Sequence, residues 1–264
     1  MSLPLLLIDA FTDQPFRGNP AAVCLLEHEP PSAWMQSVAA EMNQAETAFV
    51  WLEKADFGLR WFTPTVEVDL CGHATLAAAH ALWETQRLAP GEVAHFQTRS
   101  GLLSCRRTGE WTAMDFPAEP PVQMDTQYDF SAMLGADPIW TGRNRMDYFV
   151  QLHSGTALRE ITPDLAAIAE LPARGLIVTA RADTADYDFA SRFFAPQAGV
   201  PEDHVTGSAH CALGPFWADR IGKSQLIGFQ ASSRGGFVEI AVLEQMRVEL
   251  RGKALTVLTG TLAV

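Results

Sequence analysis

The stretch RWFTPTVEVDLCGHATLAAAHALW, residues 60–83, leads from a β-rich segment into an apolar helix through the tripeptide Cys-Gly-His. Its first five residues, RWFTP, recur as RFFAP half a chain length later, at residues 192–196. The helix recurs as well, because CGHATLAAAHALW is paralleled by TGSAHCALGPFWA. This repetition predicts two related halves, each with the order helix, strand, turn, strand, loop and apolar helix.

The two apolar helices, residues 74–83 and 209–218, have apolar side chains on nearly every face. A surface helix would show one apolar stripe, so both helices are predicted to be buried on all sides. Short β-rich segments predict the strands that wrap them: residues 5–10, 21–26, 47–52, 95–98, 102–107, 112–116, 148–152, 176–179, 237–242, 246–250 and 255–264. We therefore predict an α+β fold of two pseudo-symmetric, mostly antiparallel β-barrel halves, each wrapped around a central buried helix.

The proline-rich segment FPAEPPVQ, residues 116–123, is the predicted link between the halves, since proline cannot serve a central strand. The predicted domains are residues 1–122, which contain Glu46 and the CGHAT motif, and residues 123–264, which contain the EDHVTGSAH motif. A return of the C-terminal strands to the first half is compatible with the sequence.

The net charge and the apolar content of the chain argue against nucleic acids and membranes as binding partners. The 264 residues include 19 Lys and Arg against 31 Asp and Glu, a net charge of -12 that repels nucleic acids and anionic lipid surfaces. No apolar run reaches the roughly 18 residues of a membrane span, and no basic region precedes the apolar residues 3–8. We therefore expect a cytoplasmic protein without nucleic-acid or membrane partners.

The two turns before the apolar helices are the candidate binding elements. We call Cys71-Gly72-His73 the first junction and Thr206-Gly207-Ser208 the second junction. Glycine allows close approach to the backbone, and the first N–H groups of a helix favour an anion. If a pseudo-twofold axis relates the copies, both junctions face one cleft that holds a small carboxylate. The alternative is structural: the glycines make tight turns, and Thr206 or Ser208 caps its helix.

A proton carrier is predicted at Glu46 in NQAETAFV, because the corresponding stretch PARGLIVT has no carboxylate and the repeat therefore does not require one. Burial beside apolar neighbours would raise the pKa of Glu46, which suits a general acid or base. The alternative is a solvated carboxylate at a strand end. His73, Asp203, His204 and His210 are the other titratable groups at the junctions.

The four cysteines have no C-x-x-C spacing, so neither a disulfide framework nor a zinc site is predicted. Cys71 precedes a helix N-terminus, where a thiol pKa is usually lowered, and is either reactive or a small buried residue. The histidine spacings are not those of a metal site, and no serine-hydrolase elbow, phosphate loop or dinucleotide fingerprint is present. The sequence thus predicts neither a metal nor a cofactor.

Six motifs in order make the chain similar to the PhzF-like family of phenazine biosynthesis, which shares its fold with diaminopimelate epimerase and proline racemase. They are DAFTDQPFRGNPAAV at residues 9–23, NQAETAFV at 43–50, RWFTPTVEVDLCGHATLAAA at 60–79, RFFAP at 192–196, EDHVTGSAHCAL at 202–213 and QASSRGG at 230–236. The resemblance covers nearly the full length. It implies a cofactor-independent isomerase, and a homodimer as in many family structures.

The resemblance assigns roles by motif. Glu46 of AET matches the residue that moves a proton across the substrate, and His73, Asp203 and Ser208 match residues that line the same site. One departure is His204, where the family commonly has proline. Cys71 takes the place of the catalytic cysteine of proline racemase, so a thiol-assisted amino-acid racemase or epimerase is the alternative. A non-catalytic small-molecule binding protein and an interaction scaffold are further alternatives.

Overall fold

In a computed structural model, which describes residues 2–125 and 127–263, the chain forms two compact units. The first comprises Met1–Asp115 with Arg251–Val264, and the second is Phe116–Leu250. The predicted domain boundary, between residues 122 and 123, lies a few residues after this division. Both units are rich in β-strands and contain helices, as expected for an α+β fold.

The first unit contains two helices and most of the strands that surround them in sequence. Its elements are β1 (Ser2–Ala10), β2 (Asn19–Leu26), α1 (Ser32–Met42), β3 (Glu46–Glu53), β4 (Asp56–Phe62), β5 (Glu67–Val68), α2 (Gly72–Glu84), β6 (Ala94–Thr98), β7 (Gly101–Thr108), β8 (Trp111–Pro117) and β18 (Ala254–Ala263). Strand β1 pairs antiparallel with β2 and with β18. Two pairs are parallel, β2 with β3 across α1 and β4 with β6 across α2.

The second unit contains four α-helices and a 3₁₀ turn at Pro196–Ala198. Its elements are β9 (Val122–Gln123), α3 (Phe130–Leu134), β10 (Trp140–Arg143), β11 (Asp147–Gln151), α4 (Gly155–Glu160), α5 (Leu165–Ala169), β12 (Gly175–Arg181), β13 (Phe189–Ala195), β14 (Val200–Asp203), α6 (Gly207–Ile221), β15 (Gln225–Gln230), β16 (Gly236–Leu243) and β17 (Arg247–Gly252). The parallel pairs are β11 with β12 and β13 with β15. The sheet in each unit is thus mixed, with antiparallel pairs in the majority.

The order of strand pairing recurs between the units. An antiparallel pair (β1–β2, β10–β11) leads through a helical connection to a parallel neighbour (β3, β12), which pairs antiparallel with the next strand (β4, β13). A parallel pair then spans the apolar helix, α2 or α6. The RWFTP and RFFAP repeat therefore marks the same strand, β4 in one unit and β13 in the other.

Both apolar helices are largely buried, as their composition predicts. Ten of the 13 residues of α2 are buried, and the helix packs against β1, β2, β3, β7 and β18 of its own unit. Nine of the 15 residues of α6 are buried, and it packs against β15 and β16. Pro215 lies inside α6 and leaves the carbonyl of Cys211 without its helical partner; the backbone N–H of Glu119 donates to that carbonyl at 3.0 Å.

Strand alternation decides which face of β3 carries chemistry. Phe49 and Trp51 pack in one apolar cluster with Met35, Val38 and Ala39 of α1. Because successive side chains point to opposite faces of a strand, Glu46 lies on the other face, toward α2. In the described part of the chain, no helix is long and apolar enough to cross a membrane.

Candidate active site

Glu46 is the first residue of β3 and extends toward the start of α2. Its side chain is 16% exposed, and its Oε2 lies 3.2 Å from Nε2 of His73. A carboxylate in this position is largely removed from water yet accessible from one side. The alternative prediction, a fully solvated carboxylate at a strand end, is therefore wrong.

His73 is the second residue of α2 and is buried, with both ring nitrogens in polar contacts. The amide Nδ2 of Asn19, at the start of β2, lies 3.1 Å from Nδ1. With the amide donating, Nδ1 is an acceptor, so the proton of the neutral ring resides on Nε2, which faces Glu46. Asn19 thus fixes the tautomer that places an N–H beside the carboxylate.

Cys71 immediately precedes α2, and its Sγ lies 3.5 Å from Nδ1 of His73. Glu46, Cys71 and His73 each offer one ligand atom, and these atoms lie within 4.8 Å of one another. However, Cys71 approaches Nδ1 whereas Glu46 approaches Nε2, and a metal ion can use only one of the two ring nitrogens. The arrangement therefore favours proton transfer over binding of a metal by all three residues.

The other three cysteines, Cys24, Cys105 and Cys211, are buried without ionisable roles. The four cysteines form no disulfide within the described residues. Burial raises the pKa of Cys24 and of Cys211 to about 12, and it raises the pKa of Cys105 as well. These thiols stay protonated at neutral pH and fill the core as small apolar groups.

At the second junction, Asp203 and Thr206 form one hydrogen-bonded group. Thr206 Oγ1 donates to Asp203 Oδ2 at 2.6 Å, and the Thr206 backbone N–H donates to Gln230 Oε1 at 2.8 Å. Gln230 Nε2 in turn donates to the Asp203 backbone carbonyl at 2.8 Å. Gln230 is buried and was not singled out from sequence, although it begins the QASSRGG motif.

Ser208, the second residue of α6, accepts a hydrogen bond from Arg174. The distance from Arg174 Nη1 to Ser208 Oγ is 2.9 Å. The same guanidinium donates to both carboxylate oxygens of the buried Asp147, from Nε at 2.9 Å and from Nη2 at 2.5 Å. Burial raises the pKa of Asp147, while the Arg174 guanidinium opposes that rise. Sequence reasoning missed both Arg174 and Asp147.

The structural alternative for the junctions fails in its details. Gly72 and Gly207 begin α2 and α6 and are not among the described residues with positive φ, so neither needs glycine for a left-handed turn. Cys71 and Thr206, the residues that precede α2 and α6, make no side-chain cap hydrogen bond. Instead the Thr206 hydroxyl donates to Asp203, and the Ser208 hydroxyl accepts a hydrogen bond from Arg174. Gly72 and Gly207 stay predicted substrate-binding residues.

The two histidines near the second junction differ from His73. His210 is fully buried, its Nδ1 donates to the Thr206 carbonyl at 2.8 Å, and burial lowers its pKa to about 4. It is a neutral core residue and not a proton carrier at neutral pH. Partial burial also lowers the pKa of His204, whose backbone carbonyl accepts a hydrogen bond from Ser232 Oγ at 2.8 Å.

Comparisons with known proteins identify the family of the chain. The family of phenazine biosynthesis-like proteins matches residues 8–260 of the chain. An uncharacterized isomerase of Halalkalibacterium halodurans is 46% identical over 263 residues, which cover 99% of each chain. A crystal structure of a PhzF-family phenazine biosynthesis protein from Enterococcus faecalis is 40% identical, covers 100% of each chain and has a TM-score of 0.95.

A more distant neighbour has a similar fold. The crystal structure of a probable proline racemase from Agrobacterium radiobacter superimposes with a TM-score of 0.64 at 12% identity, covering 99% of this chain and 93% of the racemase. At this identity the likeness shows the fold alone. The α+β fold is thus that of the proline racemase and diaminopimelate epimerase group.

Proposed function

Because the chain belongs to the phenazine biosynthesis-like family and is an isomerase, we propose that Glu46 moves a carbon-bound proton of a small carboxylate substrate without a cofactor. The observation that carries this proposal is the 3.2 Å contact between Glu46 Oε2 and His73 Nε2. It joins a largely shielded carboxylate to an imidazole whose proton position is set by Asn19.

The proposed reaction needs only these groups and the substrate. The Glu46 carboxylate removes a proton from carbon, and the electron pair of the broken C–H bond is delocalised into the conjugated system of the substrate. Glu46, now protonated, returns the proton to another carbon, which regenerates the carboxylate. His73, whose Nε2 lies 3.2 Å from the Glu46 carboxylate, balances the charge that develops.

The proposal also assigns substrate-binding residues to each unit. In the second unit, Asp203 is assigned to positioning and charge balance, and Thr206, Gly207 and Ser208 to binding; in the first unit, Gly72 is assigned to binding. Support comes from the side-chain hydrogen bonds that fix Thr206 and Ser208 without capping α6. His204 is assigned no step.

The finer fold prediction belongs to this proposal as well. We propose that each set of strands closes around its buried helix as a barrel, and that the two barrel halves are pseudo-symmetric. The recurring order of strand pairing and the burial of α2 and α6 support it.

Deuterium incorporation tests the proposed chemistry directly. The purified protein is incubated in D₂O with amino acids and with cyclic unsaturated hydroxy or amino acids, and C–H signals are followed by proton NMR. We expect deuterium to enter one carbon position with the wild type and not with Glu46→Gln. Glu53→Gln, at the exposed far end of β3, is the matched control and should behave like the wild type. Exchange that persists at the wild-type rate in Glu46→Gln would falsify the proposal.

A second candidate is a thiol-assisted amino-acid racemase or epimerase. The observation that favours it is the 3.5 Å contact between Cys71 Sγ and His73 Nδ1. Exchange that is equal in the wild type and Glu46→Gln but lost in Cys71→Ala would establish it. If no compound in the panel exchanges, a non-catalytic small-molecule binding protein becomes the better interpretation.

A further inference from the structure

Strand register identifies the position in the second unit that corresponds to Glu46. Thr47 of β3 lies opposite Phe62 of β4, and Leu176 of β12 lies opposite Phe194 of β13. Phe62 and Phe194 are equivalent residues of the RWFTP and RFFAP repeat. The counterpart of Glu46 is therefore Gly175.

The residue just before this counterpart, Arg174, makes the equivalent contact. Glu46 touches His73, the second residue of α2, while Arg174 touches Ser208, the second residue of α6. Positions one residue apart in the two copies thus hold side-chain pairs of different chemistry. In the first unit the pair can carry a proton, whereas an arginine and a serine hydroxyl cannot do so at neutral pH.

Contacts with Asp147 and Phe193 fix the orientation of the Arg174 side chain. The side chain of Asp147 is 0% exposed and binds the guanidinium with both oxygens. The guanidinium also lies over the ring of Phe193, 5.2 Å from its centroid. A Cβ at Gly175 would stand 2.6 Å from that ring, so glycine lets Phe193 pack there.

The hydrogen bonds of Arg174 determine how the Ser208 hydroxyl can bond. Nε and Nη2 of Arg174 donate to Asp147, and Nη1 donates to Ser208 Oγ. Arginine has no acceptor, so the oxygen of Ser208 is the acceptor and its hydrogen must be donated elsewhere. Nη1 also retains a second hydrogen. Two donors are therefore held side by side on a side chain that is 34% exposed and a serine that is half-buried.

We propose that Arg174 is a positioning residue that fixes Ser208 as a hydrogen-bond donor to the anionic group of the substrate. The inference rests on the proposed function and deepens it, because it names an acceptor-only group, a carboxylate, as the part of the substrate that the second junction recognises. Asp147 balances the charge of Arg174, so the effect comes from donor orientation and not from long-range attraction.

Binding of benzoate, measured by calorimetry, tests the inference apart from catalysis. Benzamide is its uncharged isostere. The variants are Arg174→Lys, Ser208→Ala, the double variant and Glu46→Gln, with folding checked by circular dichroism. Lysine keeps a positive charge beside Asp147, but it lacks the planar guanidinium whose N–H groups donate to Asp147 and Ser208 at the same time. Arg192→Lys is the matched control, since Arg192 pairs with both oxygens of Glu202 over the Phe194 ring without touching Ser208.

We expect Arg174→Lys and Ser208→Ala each to weaken benzoate binding roughly tenfold or more. The double variant should lose little beyond Ser208→Ala, because Arg174 acts through that hydroxyl. Arg192→Lys should bind like the wild type, and benzamide binding should be weak in every protein. The inference would be overturned by wild-type affinity in Arg174→Lys, by fully additive losses in the double variant, or by the absence of millimolar benzoate binding to the wild type. Loss of exchange in Glu46→Gln together with wild-type benzoate affinity in Arg174→Lys would overturn this inference and leave the proposed function standing.

Discussion

The first turns of α2 and α6 begin alike, with a glycine at the first position, and diverge at the second, which is His73 in one unit and Ser208 in the other. His73 contacts Glu46, and Ser208 contacts Arg174. An imidazole and a carboxylate can exchange protons near neutral pH, whereas a guanidinium and a hydroxyl can only bind. Corresponding turns of a repeated fold can thus carry different chemistry after a few side chains have changed.

The arginine–carboxylate pair near each junction differs much less between the two units. Arg60 binds both carboxylate oxygens of Glu67 and lies 5.3 Å from the ring of Phe62. Arg192 binds both oxygens of Glu202 and lies 5.0 Å from the ring of Phe194. Each arginine ties its long strand to the short strand that leads into the buried helix. This arginine–carboxylate pair is therefore common to both units.

After Glu46 itself, whose replacement should abolish exchange, the largest effect is expected at His73. We predict that His73→Gln lowers the deuterium exchange rate by roughly 10²-fold, because the amide cannot replace the imidazole that balances the charge developing beside Glu46. The rate is measured at saturating substrate by proton NMR. His95→Gln, which changes a histidine bonded to Ser104 in the same unit, serves as the control. Equal rates in both variants would contradict a special role for His73.

Gly175→Ala tests whether the counterpart position of Glu46 tolerates any side chain. The new Cβ would meet Phe193 Cζ and the Phe194 carbonyl oxygen, each at 2.6 Å, and the carbonyl belongs to a strand that cannot move aside cheaply. We predict a loss of about 2–3 kcal/mol in the free energy of unfolding, measured in urea. Gly260→Ala, whose nearest neighbour is Leu258 Cδ2 at 3.8 Å, should change stability by less than about 0.5 kcal/mol. An unchanged free energy of unfolding in Gly175→Ala would show that Gly175 tolerates a side chain, as the corresponding position of Glu46 does.

His210 predicts a pH dependence for the second unit. Its pKa is lowered to about 4, mainly by burial, against an unfolded value of 6.5. As the pH falls, His210 therefore takes up a proton in the unfolded state before it does so in the folded state. The contribution of neutral His210 to the free energy of unfolding is complete above pH 6.5 and is lost as the pH falls toward 4. At pH 5 the loss is about 2 kcal/mol relative to pH 7.

Urea unfolding at both pH values measures this loss, with His210→Gln as the reference that cannot titrate. The variant is expected to be less stable at pH 7, since it lacks the bond from Nδ1 to the Thr206 carbonyl, but to have a flatter pH dependence. An identical pH dependence in wild type and variant would show that His210 is not the group responsible.

The smallest effect is expected at Cys71. If Glu46 is the base, Cys71→Ala should keep the exchange rate within about threefold, because the thiol contacts only the Nδ1 side of His73 that Asn19 also serves. The measurement is the same NMR assay. A loss comparable to that of His73→Gln would instead make the thiol part of the reaction.

Much of the fold and part of the site could be predicted from sequence. Runs of apolar residues located α2 and α6, and short β-rich segments located most strands within a few residues, because such local patterns depend on near neighbours. The asymmetry between NQAETAFV and PARGLIVT pointed to Glu46 and missed that the second stretch places Arg174 beside the equivalent position. The sequence signal for Arg174 is the charged residue that PARGLIVT has next to the position where NQAETAFV has Glu46.

The sequence by itself determined the repeat, the burial of two apolar helices and the position of Glu46 and His73 at the start of β3 and α2. Only the tertiary structure decided which side chains meet. Asn19 reaches His73 across 54 residues of chain, Arg174 reaches Ser208 across 34, and Gln230 reaches Thr206 across 24. Such contacts depend on strand register, which is set by long-range pairing and packing and not by the local pattern of residues.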